Sequence, residues 1–303
     1  MKTNISLILI LCLLLGACKN GNASSQSKSE TPQDTIKAIK MPAIPQMMTA
    51  PEQRADFLAK HYWDNVNFAD TNYIHHPEVT EQAWADYCDL LNHVPLETAQ
   101  QAMRNVIDRT NVDKKVFTYI TDLADKYLYD PNSPMRNEEF YIPVLEAMIA
   151  SPVLNETEKI RPQARLKLAQ KNRIGTKALN FTYTLASGAQ GSLYQLKAEY
   201  LLLFINNPGC QACTETIENA PIINQLLQEK KLVLLSIYPD EELDEWKKHL
   251  SEFPNEWING YDKKFTIKEE QVYDLKAIPT LYLLDKDKTV LLKDATAPAI
   301  EAY

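Results

Sequence analysis

Between residues 51 and about 173, apolar positions recur at spacings of three and four, as in Val116, Tyr119, Ile120, Leu123 and Tyr127. That period puts them on one face of a helix. Six helices are predicted, over 51–63, 80–94, 96–111, 113–129, 137–150 and 156–171. Pro95 suits a first helical position, Asn155-Glu156-Thr157-Glu158 fits a capping box, and Asp130-Pro131-Asn132-Ser133-Pro134 breaks the chain between the fourth and fifth. The short connections make consecutive helices antiparallel neighbours. After residue 173 the period changes. Residues 181–185, the turn Ser187-Gly188 and residues 193–196 read as a hairpin, and residues 198–205, apolar without a break from Tyr200 to Ile205, as a buried central strand. A helix over 214–230, a strand over 231–238, helices over 240–250 and 268–275, and strands over 280–284 and 289–292 follow. The fold expected is an α/β domain, a central mixed sheet flanked by helices, preceded by an all-α helical domain.

The first residues carry a different signal. Lys2 precedes an apolar run from residue 5 to residue 15, about half the ~20 residues needed to span a bilayer, which reads as a signal peptide. Leu15-Gly16-Ala17-Cys18 resembles the lipobox of bacterial lipoproteins. The resemblance implies cleavage before Cys18, acylation of that residue and anchoring to a lipid bilayer; a secretory signal with an accidental cysteine is the alternative. Lys19, rather than Asp, after that cysteine points to the outer rather than the inner membrane, within a periplasm-facing cell envelope. The expected organisation is a signal peptide (1–17), a flexible tether rich in Ser, Asn, Gln, Lys, Thr and Pro (18–50), the helical domain (51–172) and the α/β domain (173–303).

Composition narrows the function. A chain of 303 residues, 45% of them hydrophobic, is long enough for two cores. A net charge of −8 argues against nucleic acid as a partner. With seven glycines there is no glycine-rich phosphate loop. His75-His76 lacks further ligands at metal spacing, so no metal is expected, and Cys88 reads as a buried, inert thiol. The aromatic stretch 127–129 with residues 135–141 reads as core packing with a surface ion-pair network, a recognition surface being the alternative.

The candidate chemistry is Cys210-Gln211-Ala212-Cys213, entered from a strand and left through a helix. Two cysteines so spaced can close a small disulfide, and a helix N-terminus favours the thiolate. Residues 173–303 resemble the TlpA-like branch of thioredoxin-fold proteins. Ala178-Leu179-Asn180-Phe181 matches its entry motif, Cys210 and Cys213 its redox pair, and Pro279 the proline that is cis in the family. Residues 127–140 resemble a helical domain of unknown function that precedes such domains in some bacterial lipoproteins. The resemblance implies an envelope thiol-disulfide oxidoreductase. Cys210 would be the nucleophile and Cys213 the resolving thiol, and the Ile278 backbone beside Pro279 would pair with an extended substrate. Its partners would be protein thiols and disulfides and a membrane electron donor, with no cofactor. The chain departs from the pattern in two places: Gly209 stands where a Trp is common, and Phe204 roughly where a buried acid serves the second cysteine. Glu215 and Glu218 are candidate substitutes, a solvated helix face being the blander reading. Gln211-Ala212 lacks the histidine of strongly oxidising sites, which favours a reductase. A peroxidase would need Thr where Asn207 stands. The alternative from another class is a lipid-anchored binding or assembly protein with a structural Cys210–Cys213 disulfide. Near residue 303 the terminal helix of the fold is expected to be short, or the sheet less covered on one face.

Overall fold

The computed structural model describes residues 38–303; the expected signal peptide, Cys18 and the tether up to residue 37 lie outside them. Six α-helices form the first layer: α1 (Pro51–His61), α2 (Pro77–Leu91), α3 (Leu96–Arg109), α4 (Lys114–Ala124), α5 (Glu138–Ala150) and α6 (Glu156–Ala169). Their apolar faces meet in one core around Trp63, Trp84, Tyr87, Phe117 and Tyr141. The Asn155–Glu158 capping box closes the start of α6. Pro143 lies inside α5, where it has no N–H to offer the Glu139 carbonyl. Gln100 Nε2 on α3 supplies that hydrogen bond at 3.0 Å. Before α1, the Lys40 carbonyl accepts from Asn65 Nδ2 at 2.9 Å and Ile39 packs on the helical core.

The second layer is a seven-stranded mixed sheet: β1 (Thr182–Leu185), β2 (Gln190–Ser192), β3 (Tyr200–Ile205), β4 (Leu232–Tyr238), β5 (Ile258–Tyr261), β6 (Thr280–Asp285) and β7 (Val290–Lys293), in the order β2-β1-β5-β4-β3-β6-β7. β3 and β4 are parallel and lie at the centre, with Leu203 opposite Leu235; β6 pairs antiparallel to β3, with Ile205 opposite Thr280. Alternate residues of β3 face two cores, Leu201, Leu203 and Ile205 on one side and Leu202 and Phe204 on the other. Burial on both faces is why β3 reads as an unbroken apolar run. α7 (Gln211–Glu218), α8 (Pro221–Gln228) and α10 (Ala297–Glu301) supply residues to the second of these cores. α10 is short, and Glu301 Oε1 accepts from the Ile222 N–H at 2.7 Å, tying it to the start of α8.

Three expected elements differ, and one strand was not predicted. The helix predicted over 214–230 is two helices, because Pro221 drives Ala220 out of the helical region (φ −118°, ψ 75°). The second arm of the hairpin is Gln190–Ser192, and residues 193–195 turn in a short 3₁₀ segment that buries Leu193. No helix forms over 268–275. Gln271 has φ +50°, and the carbonyls of residues 270–272 accept hydrogen bonds from the distant side chains of Lys171 and Asn172. β5 lies in a stretch, 251–267, for which no element was predicted. Here Gly260 is a close approach: a Cβ would lie 2.9 Å from the Tyr183 ring. α9 (Leu243–His249) follows β4 and packs through Trp246 on Tyr261 of β5.

Candidate active site

The β3–β6 register brings two loops to one edge of the sheet. β3 ends at Ile205 and runs through Asn206–Gly209 into Cys210, while Pro279 immediately precedes Thr280, the partner of Ile205. The Ile278–Pro279 peptide bond is cis, and Thr280 Oγ1 donates to the Ala277 carbonyl at 2.6 Å, closing that turn on itself. Ile278 packs on both cores of the sheet.

Cys210 and Cys213 are joined in a disulfide across the first turn of α7. The Cys213 N–H donates to Cys210 Sγ at 3.1 Å, so a helix-terminal donor already points at that sulfur. Cys213 is 4% exposed, whereas Cys210 is half-buried at the surface. Gly209 holds φ +65°, a backbone region that glycine enters without strain, which accounts for glycine rather than a bulky aromatic before the first cysteine. Cys88, the free thiol among the described residues, is buried in the helical core, and burial pushes its thiol far above the usual range.

A groove of about 600 Å³ runs from the disulfide along α7. Phe204, Phe253 and Trp257 give it an aromatic wall, with Phe204 edge-on to Trp257 at 5.8 Å between ring centroids. Glu218 and Glu252 contribute carboxylates to its lining. Glu215 does not line the groove, and accepts from Gln211 Nε2 at 2.6 Å. Phe204 thus builds the groove wall where an acid was missed. The buried polar residue at this strand end is Asn206, which donates to Ser236 Oγ on β4 at 2.7 Å. His76 pairs with Glu78 at 3.1 Å, and no group of three or more metal-ligating side chains occurs among the described residues.

Sequence reasoning missed the set of buried charges behind the proline loop. Lys276, 4% exposed, donates to Glu138 at the start of α5 and lies 3.5 Å from Asp274 and 3.4 Å from Asp294. Lys293 binds the other Glu138 oxygen at 2.5 Å, and Arg136 reaches Asp294 at 3.4 Å. The run 135–141 is therefore a buried junction between the helices and the sheet, and its charges do not form a surface network. Burial works to raise the Glu138 pKa, but Lys276 and Lys293 hold it below the usual carboxylate value. For Asp274 and Asp294 burial wins and the pKa is raised. Contacts spanning 138 positions leave no periodic trace in sequence.

A strand–loop–helix carrying a disulfide-forming cysteine pair beside a proline turn defines a thioredoxin-like domain. Two family models match: residues 198–290 as thioredoxin-like, and residues 17–172 as a domain of unknown function (DUF5106). The chain belongs to the DUF5106 family, with a C-terminal thioredoxin-like domain. A thioredoxin-like protein from Bacteroides caccae is 83% identical, with TM-score 0.85, over 89% of this chain and 98% of that one. The C-terminal domain of an uncharacterized protein from Bacteroides fragilis is 67% identical over 44% of this chain and 96% of that one, with TM-score 0.43. The thioredoxin domain of a thiol-disulfide oxidoreductase from Bacteroides vulgatus is 20% identical over 43% and 96%, with TM-score 0.38. No curated protein matches the chain.

Proposed function

We propose that this protein is a thiol-disulfide oxidoreductase that reduces disulfides in other polypeptides. The observation that carries the reading is the Cys210–Cys213 pair, with one sulfur near the surface under a helix-terminal N–H and the other buried behind it. In the reduced protein the Cys210 thiolate attacks one sulfur of a partner disulfide. The partner's S–S bond breaks, a mixed disulfide forms, and the departing partner thiolate takes up a proton. Cys213 then attacks Cys210 Sγ as thiolate, which releases the second partner thiol and closes the Cys210–Cys213 disulfide. Two electrons have passed to the partner, and an external dithiol donor, for which a membrane protein is the proposed source, restores the pair. Ile278, beside Pro279, offers its backbone to an extended substrate. The direction rests on Gln211-Ala212, which places no histidine between the cysteines.

The test equilibrates the protein against graded thiol buffers, then alkylates and weighs it. A potential near or below about −250 mV is expected; one of about −120 to −180 mV would make it an oxidase or isomerase. Absence of any exchange would leave the disulfide structural. The proposal includes anchoring to the envelope through acylated Cys18, supported by the apolar run before it. Cys18→Ser is expected to move the protein from the membrane to the soluble fraction, and unchanged fractionation would remove the anchor.

A further inference from the structure

Between β5 and β6, residues 262–279 form neither helix nor strand, yet they lead into the turn that presents Ile278. Tyr273 anchors the middle of this stretch within its own domain, its hydroxyl donating to the Leu179 carbonyl at 2.7 Å. On either side of Tyr273 the anchors come from the helical domain and its C-terminal end. Lys171 Nζ donates to the Glu270 and Gln271 carbonyls at 3.0 and 2.7 Å, and Asn172 Nδ2 to the Val272 carbonyl at 2.7 Å. Two residues before Ile278, Lys276 donates to Glu138 of α5, and its Nζ lies 4.8 Å from the centre of the Tyr129 ring. The hold is reciprocal: Lys293 of β7 donates to the Ala169 and Lys171 carbonyls at 2.9 and 2.6 Å, fixing the chain that leaves α6 and carries Lys171 and Asn172. A segment outside helix and strand owes its conformation to such contacts, and each one removed returns backbone freedom to it.

We propose that the helical domain is a positioning element for the exchange reaction: through Glu138 and Lys171 it holds the chain before Pro279 so that the Ile278 backbone already has the conformation with which an extended polypeptide pairs. Neither is a catalytic residue; each acts through the turn. An edge ordered in advance spares the substrate the cost of ordering it on binding. A small disulfide has no strand to add and gains nothing from that order. The inference rests on the exchange reading and adds a selectivity to it, for polypeptide over small-molecule disulfides, that depends on the helical domain.

The experiment uses the full chain, reduced, with two oxidants of matched leaving group: hydroxyethyl disulfide, and an extended peptide whose one cysteine is held as a mixed disulfide with 2-mercaptoethanol. In each turnover the S–S bond to mercaptoethanol breaks, both halves leave as thiols with the protons of Cys210 and Cys213, and those two cysteines become the disulfide. Single-turnover rates over a concentration series give the half-saturating concentration and the maximal rate. In Glu138→Gln and in Lys171→Met the half-saturating peptide concentration is expected to rise about tenfold, the scale of re-ordering about one residue of backbone. The maximal rate with peptide, the rate with hydroxyethyl disulfide and the reduction potential are expected to stay as in the unaltered chain. Lys171→Arg, which keeps donors on a long stem, is expected to keep the unaltered value throughout. An unchanged peptide half-saturation in either folded variant, or a loss with peptide matched by an equal loss with hydroxyethyl disulfide, would overturn the positioning role. Lys171 is only half-buried, so Lys171→Met decides the matter even if Glu138→Gln does not fold. Hydroxyethyl disulfide separates the two levels. If the unaltered chain reduces it and the variants leave peptide half-saturation unmoved, the positioning role alone falls; if the unaltered chain reduces neither it nor the peptide, the exchange reading falls and takes the positioning role with it.

Discussion

His249 shows how much of the site depends on single side chains. It stands against Gly209, where an added Cβ would lie 3.7 Å from its ring, and its two nitrogens sit 2.9 Å from Glu252 and 3.1 Å from Glu245. Two carboxylate partners suit a ring that donates from both nitrogens, which is the imidazolium. Glu252 first and Glu245 second raise its pKa above 6.5. A raised folded value means that the ion pairing is complete below about pH 6.5 and is lost as pH climbs through the higher folded midpoint. A ring-proton NMR titration is expected to place that midpoint above 6.5 and to show it falling in Glu252→Gln; a midpoint at or below 6.5 would break the account. None of this was legible in sequence, because Glu245, His249 and Glu252 have ordinary helical spacing and only the fold brings residue 209 to them. Cys210 and Cys213 were legible, since their chemistry depends on a spacing of three along one turn. Gly209 was noticed as a departure, but its reason is a positive φ that only the folded backbone displays.

Among elements, the signals that came through are those the chain satisfies locally. The capping box at Asn155 and Glu158 forms as written, and Pro95, read as a first helical position, falls one place earlier as the N-cap of α3. β3 was legible because both faces of one strand are buried. What failed needed a partner from elsewhere. Residues 268–275 carry helix-like apolar spacing, yet Lys171 and Asn172 capture the carbonyls a helix would need, and Asp262, fully buried, takes the Ile267 N–H at 2.6 Å. β5 lies between β1 and β4, where Gly260 fits under Tyr183, a packing fact that no periodicity in the sequence carries. The break at Pro221 was a local signal overlooked: the residue before a proline is disfavoured in a helix, and the apolar periodicity on either side masked it. The consequence reaches the site, because α7 becomes a short helix that carries the cysteines while α8 is anchored separately through Glu301.

At the scale of the molecule, the two-domain order was readable from the change of period near residue 173, but the way the domains grip each other was not. The grip is Glu138, buried between Lys276 and Lys293, with Asp274, Asp294 and Arg136 around them, three acids matched to three bases. Lys276 lies three positions before Pro279, so the helical domain holds the chain that leads into the proline turn. Deleting one partner of such a pair leaves a buried charge uncompensated, which costs about 3 kcal/mol or more. Glu138→Gln keeps the shape and removes the charge, leaving two lysines and an arginine against two aspartates. Its denaturant midpoint at pH 7 is expected to fall by an amount of that order, with the thioredoxin-like domain losing cooperativity with the helices. Glu138 has a lowered pKa, so its contribution is present above the unfolded value of about 4.5 and is lost as pH falls through the folded one. Asp274 and Asp294 have raised values and act with the opposite sign, gaining as they protonate. The variant's deficit should therefore be full at pH 7 and shrink below about pH 4.5, as the unaltered protein loses the same charge. Denaturation across that range checks it. A deficit that stays constant down to about pH 3 would mean that the substitution disturbs packing and that the charge of Glu138 does not hold the junction.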